Sequence, residues 1–169
     1  MTRTISLLVG LLAHLPAGNF EHVIDDAHAR CYKPFLETVY GYPQFRLSVH
    51  FSGWLLDYLA RRFPHDMSKL HEMVARGQVE MFGGGDTEPV LASIPERDRR
   101  TQLAALSNRL QAALGRRPTG AWLTERVWES SVTCALADSG IRYVTVDDYH
   151  FLCAGRRSEE LTGYFSTEE

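Results

Sequence analysis

Five short apolar runs recur along the chain, and each is followed by a stretch whose apolar residues fall at helical spacing. This alternation constrains the fold more than any other feature, because parallel strands need a crossover between them and a helix is the usual crossover. The runs span residues 5–14, 46–51, 78–82, 121–124 and 141–146. Phe20, Val23, Ile24, Ala27, Cys31 and Phe35 share one helical face. Residues 54–62 and 67–75 form two helical stretches parted by Pro64, and 96–114 is the longest helical pattern. Ser93 is the expected cap of that helix, with Glu96 three residues on. A last helix is expected over 130–138, stopping at Gly140, and the polar tail from Arg156 shows no clear element. The expected class is α/β with a parallel sheet, in one domain over residues 1–169. Two architectures fit: a small open doubly wound sheet, or the first part of a barrel. A complete (β/α) barrel needs about 250 residues, so 169 residues would supply roughly the first half.

Composition narrows the partners. A formal net charge of -3 gives no reason to expect nucleic acid or an anionic membrane surface. No apolar run approaches the roughly 20 residues of a membrane span. The basic start Met1-Thr2-Arg3-Thr4 leads into an apolar run, but no small-residue cleavage site comes after it, so a first strand is expected rather than a signal peptide. Cys31, Cys134 and Cys153 are scattered with no CxxC spacing. They are expected to be buried free thiols of a cytoplasmic protein, not a disulfide frame or a zinc site.

The polar residues of interest fall where each strand should end. His14 follows strand one, His50 lies in strand two, Glu80 in strand three with Glu88 beyond it, Glu125 follows strand four, and Asp147, Asp148 and His150 follow strand five. Carboxylates and histidines gathered at one sheet edge form the rim of an active site in parallel folds. Each also has a plain reading. His14 could cap a helix, His50 could be a core histidine, and Glu88-Pro89 could be only a turn. Gly83-Gly84-Gly85 lacks the lysine of a phosphate loop and reads as a tight turn with close backbone approach. Of Asp147 and Asp148, at most one points inward from an extended strand. Trp122 and Trp128 flank Glu125, and a carboxylate beside indoles suits sugar chemistry, with a ring face to stack on and a group to meet the anomeric carbon.

The block Trp122-Leu123-Thr124-Glu125-Arg126-Val127-Trp128 resembles the nucleophile motif of glycoside hydrolase family 57, in its 4-α-glucanotransferase and α-amylase branch. Gly77-Gln78-Val79-Glu80-Met81 is similar to that family's Gly-Gln-x-Glu motif. The stretches 49–53, 88–95 and 146–151 also resemble the family. The resemblance implies a distorted (β/α)7 barrel acting on α-1,4-glucans with retention, Glu125 as nucleophile, and no metal or organic cofactor. It implies substrate contacts at His14, Glu80, Trp122, Trp128, Asp147, Asp148 and His150. Two departures accompany it. Leu12 and Leu15 stand where the family's opening motif has His and Gln, and the motif carrying the family's acid/base Asp has no match in these residues.

Two other readings stand beside the active enzyme. One is a truncated, catalytically impaired homologue that only binds oligosaccharide or needs a partner chain, with an unfinished sheet edge available for self-association. The other is a metal-dependent deacetylase-like hydrolase using Asp147 or Asp148 with histidines, against which stands the lack of a compact His-x-x-x-His pair.

Overall fold

The five apolar runs form five parallel strands in the computed structural model, which describes residues 5–166. They are β1 (Gly10–Ala13), β2 (Leu47–Phe51), β3 (Val79–Phe82), β4 (Gly120–Trp122) and β5 (Tyr143–Thr145). β1 pairs with β2, β2 with β3, and β4 with β5, all parallel. A bridge between Gly83 and Ala121 joins the two groups, with Gly83 N–H donating to Gly120 O at 2.8 Å and Trp122 N–H to Gly83 O at 3.0 Å. Strand order therefore equals chain order. A doubly wound sheet would reverse direction at a switch point. This sheet does not, and it forms the arc of a TIM-like barrel, covering part of the circle.

β1 is shorter than the run over residues 5–14. Pairing begins at Gly10, and Ile5, Leu7 and Leu8 are 86%, 78% and 93% exposed. β1 is an edge strand of the arc, so these residues have no sheet to lie against. Met1–Thr4 and the last three residues of the tail lie outside the described residues.

The helices pack on one side of the arc. α1 (Glu21–Ala27) passes through a π-helical turn, His28–Tyr32, into α2 (Lys33–Tyr40). Pro34 explains the interruption: it has no N–H to give to the carbonyl four residues back, and the helix widens ahead of it. The turn buries both His28, stacked on Phe63 at 3.5 Å, and Tyr32. α3 (Gly53–Arg62) and α4 (Pro64–Ala75) come after β2, and Pro64 opens α4, where its missing N–H costs nothing. α5 (Glu96–Leu114) has the bounds its pattern predicts. Ser93 is not its cap: it closes a 3-10 turn over Leu91–Ser93, and Pro95 precedes the helix without a side-chain cap. α6 (Thr133–Asp138) precedes β5. The sequence pattern missed α7 (Asp148–Cys153), a short helix after β5.

Alternation decides what each strand buries. Leu47, Val49, Phe51, Val79 and Met81 face the helices and join Leu36, Leu55, Leu59, Leu70 and Met73 in the larger core. A second core gathers Leu91, Ala121, Leu123, Ala135 and Ile141. α5 spans both, with Leu106, Leu110 and Leu114 in the first and Leu103 in the second. The three cysteines are exposed, contrary to expectation. They sit on helical faces turned away from these cores, so their spacing says nothing of packing.

The loop after β3 is locked to α5 by an ion pair and to α3 by a backbone hydrogen bond. Asp86, 8% exposed, accepts from Arg109 Nε at 2.7 Å, Arg109 also meets Asp57, and Asp86 O accepts from Gly53 N–H at 2.9 Å. A Cβ on Gly53 would lie 2.0 Å from Asp86 Oδ1. We expect Gly53→Ala to cost about 1–3 kcal/mol by forcing this pair apart, read as a clear drop in melting temperature. An unchanged melt would show that the loop is not held here.

Candidate active site at the strand ends

The C-terminal ends of β1, β3 and β4 converge on one cavity of about 190 Å³. Its walls include Leu12, His14, Trp54, Thr87, Glu88, Trp122, Thr124 and Glu125. His14 is the first residue past β1, and Glu125 is three residues past β4. Of the residues singled out in the sequence, the structure brings His14, Glu88, Trp122 and Glu125 together here.

Glu88 is the hub of the site. Its side chain is 10% exposed, and it takes His14 Nδ1 on one oxygen at 2.6 Å and His50 Nε2 on the other at 3.3 Å. His50 is 2% exposed, and its Nδ1 lies 3.4 Å from Phe82 O. Burial pushes the Glu88 carboxyl up; the hydrogen bonds and charge of His50, then of His14, outweigh it and hold the carboxyl below its ordinary range. Tyr32 braces His14 from behind, its hydroxyl donating to His14 O at 3.3 Å. Burial, then the neighbouring Cys31 and Glu88, push the Tyr32 phenol up to about 12, so it stays a donor.

Gly84 lets these groups meet. It has φ 151°, and a Cβ there would lie 2.8 Å from Trp122 O and 3.0 Å from His50 Cε1. The glycine run is therefore a close backbone approach, as its composition suggests, seating β4 and the buried imidazole side by side.

The described residues contain three non-glycine positions with positive φ: Glu88 at 55°, Glu125 at 54° and Arg126 at 53°. All three are on this rim. A left-handed L-residue costs roughly 1–2 kcal/mol, and such strain gathers where a side chain must be aimed. Among the described residues the Glu125 carboxylate takes no hydrogen bond or ion pair, whereas Arg126 Nε donates to Asp147 Oδ1 at 2.7 Å. That pair is half exposed and offsets at most about 1 kcal/mol. Asp147, above all through its hydrogen bond, raises the Arg126 guanidinium. His150 Nε2 donates to Arg126 O at 3.1 Å.

Other expected contacts lie elsewhere. Asp147 and His150 engage Arg126 beside the cavity, and Asp148 is an exposed first residue of α7. Trp128 packs against the second core. Glu80 is level with Ser48 and Gly10, about 10 Å down the strands from the Ala13 end at roughly 3.3 Å per residue. It accepts from Thr119 Oγ1 at 3.0 Å, and burial together with Glu80 pushes the nearby Tyr143 phenol up, burial having the larger effect. A larger cleft of about 520 Å³ holds Glu80 with Arg116 and Arg117 at the strands' entry end, opposite the histidines. Glu88, His50 and Trp54 are the residues a strand-end reading underweights. The first two were legible as a turn and a core histidine; the signal was their placement beyond and within successive strands. Among the described residues no three His, Cys, Asp or Glu side chains are grouped to hold a metal ion, and no helix is long and apolar enough to cross a membrane.

An arc of parallel strands with carboxylates, histidines and an indole over their C-terminal ends matches the end of a (β/α) barrel at which active sites are built. The chain belongs to glycosyl hydrolase family 57, whose family model matches residues 13–169. It is 41% identical over 169 residues to alpha-amylase 1 of Dictyoglomus thermophilum, covering all of this chain and 25% of that protein. It is 41% identical over 165 residues to the 4-alpha-glucanotransferase of Thermococcus litoralis, covering 98% and 25%. The crystal structure of a 4-alpha-glucanotransferase from that organism aligns with a TM-score of 0.87 at 42% identity, over 91% of this chain and 24% of that one. The chain thus spans about a quarter of the length of the curated relatives it matches. A family 4 carbohydrate esterase from Streptomyces lividans shares the fold alone, with a TM-score of 0.56 at 14% identity over 83% of this chain and 62% of that one.

Glu88 gives a pH-dependent expectation. Its folded pKa is lowered, so the unfolded chain binds the proton more readily and the stabilisation is lost as pH falls through the folded value. Glu88→Gln should cost about 1–3 kcal/mol at pH 7. The gap in melting temperature between variant and wild type should narrow as pH falls below the ordinary carboxylate pKa of about 4.3. An equal gap at pH 7 and pH 3 would contradict the ionised hub.

Proposed function

We propose that these residues form the nucleophile-bearing part of a retaining site for α-1,4-glucans, in a glycoside hydrolase or 4-α-glucanotransferase. One observation carries this reading: Glu125 lines the strand-end cavity in a left-handed conformation, while its carboxylate stays free of partners among the described residues. Glu125 attacks the anomeric carbon and the leaving oxygen departs with a proton. The glycosyl-enzyme then passes its sugar to water or to another sugar's hydroxyl. The cavity's other carboxylate, Glu88, is held ionised between two histidines and makes a poor proton donor. The acid/base is therefore a group other than the cavity's described carboxylates, about 5 Å from Glu125 in a retaining site. Trp122 and Trp54 offer faces for the sugar ring, and His14 a polar contact.

A second reading is favoured by the arc's two open edges. β1 and β5 each lack an outer neighbour among the described residues, and Leu7 and Leu8 before β1 and Leu11 and Leu12 within it are exposed. The 169 residues alone then bind glucan without turning it over, and self-associate along those edges.

A 5-fluoro-α-glucosyl fluoride tests the nucleophile, because fluoride leaves without a proton donor. We expect mass spectrometry to find the glycosyl adduct on Glu125, and Glu125→Gln to carry none while melting within about 2 °C of wild type. A fully labelled Glu125→Gln would remove Glu125 from the role. Leu12 lines the cavity, whereas Leu15 packs against the larger core. Leu12→His should therefore tighten maltoheptaose binding about fivefold, worth ~1 kcal/mol, and Leu15→Gln should not. Calorimetry showing the reverse would place the sugar elsewhere.

A further inference from the structure

We propose that Arg126, Asp147 and His150 form a clamp that holds Glu125 in its left-handed conformation, making the three of them positioning residues for the nucleophile. The proposal rests on the reading of Glu125 as nucleophile. Its starting point is a pair of neighbours, Glu125 and Arg126, both at positive φ. Only glycine, asparagine and aspartate visit that region readily, and then usually singly. Glu125 itself supplies no restraint, since its carboxylate is unpartnered among the described residues, so the conformation must be imposed from Arg126 onward.

Arg126 is gripped at three points. Its N–H donates to Leu123 O at 2.8 Å. Its carbonyl accepts from His150 Nε2 at 3.1 Å, and its guanidinium donates to Asp147 Oδ1 at 2.7 Å. With amide, carbonyl and side chain all fixed, the peptide joining it to Glu125 has little freedom to rotate. Asp147 and His150 come from one rigid unit. Asp147 immediately precedes α7, His150 lies three residues on, and His150 N–H donates to Asp147 O at 3.1 Å. The i, i+3 spacing turns both side chains toward the same loop. β5 and α7 thus brace the end of β4. Neither Asp147 nor His150 lines the strand-end cavity, and the polar atoms that could meet a sugar there are used on Arg126.

Two readouts on the full chain test this. Amide hydrogen exchange at Arg126 and Val127 should quicken at least tenfold in Asp147→Asn and in His150→Ala. It should return toward the wild-type rate in His150→Gln, whose amide N–H can reach the same carbonyl. Labelling of Glu125 by 5-fluoro-α-glucosyl fluoride should slow at least tenfold in the two loosened variants and recover in His150→Gln. Asp98→Asn, at an exposed ion pair on α5, should change neither. Unchanged exchange would overturn the clamp, and faster exchange with undiminished labelling would overturn its positioning role. If wild type takes no label at all, the nucleophile reading falls and the positioning role with it, while exchange still decides whether the clamp exists.

Discussion

The site depends on one carboxylate placed between two imidazoles. Glu88 leaves the loop after β3 with positive φ and meets His14 from β1 and His50 from β2. Three successive strand ends are thereby tied through a single group. A buried carboxylate is costly alone and tolerable when its oxygens are taken up by donors, so the three residues stand or fall together. Gly84 makes the meeting possible by bringing the backbone against both His50 and Trp122. The cavity beside them is a consequence of that packing.

The carboxylates divide their labour accordingly. Glu88 is partnered, nearly buried and held ionised, which suits a structural charge. Glu125 is exposed and, among the described residues, unpartnered, which suits attack. Asp147 is spent on Arg126, and Glu80 on Thr119 near the other end of the strands. Burial and partners, more than residue type, separate these roles, in the way that environment separates acid from nucleophile elsewhere. Among its described residues the arc holds no second carboxylic acid free to give up a proton at the cavity. The relatives, about four times as long, have chain to spare for one.

Much of the fold was legible because periodicity reports burial directly. The alternating strands and the α5 stripe of Leu103, Leu106, Leu110 and Leu114 were plain in the sequence. So was the strand-end rule that put His14, Trp122 and Glu125 at one edge. The rest depends on distances that spacing does not encode. Glu80 and Glu88 look alike in sequence, yet register puts one about 10 Å below the rim and a glycine turn puts the other at its centre. Trp128 shares a motif with Glu125 but turns into the second core after the two left-handed residues. Cysteine exposure and the short α7 were missed for the same reason: few residues, and no period long enough to read.

Whether the strand-end cavity presents Glu125 to the anomeric carbon of a bound glucan is tested most directly by a crystal structure of the Glu125→Gln chain with maltotriose. A sugar ring is expected against Trp122, with a hydroxyl on His14 and an anomeric carbon about 3–3.5 Å from the residue 125 side chain. Maltotriose seated instead in the cleft beside Glu80, Arg116 and Arg117, with the cavity empty, would contradict that placement.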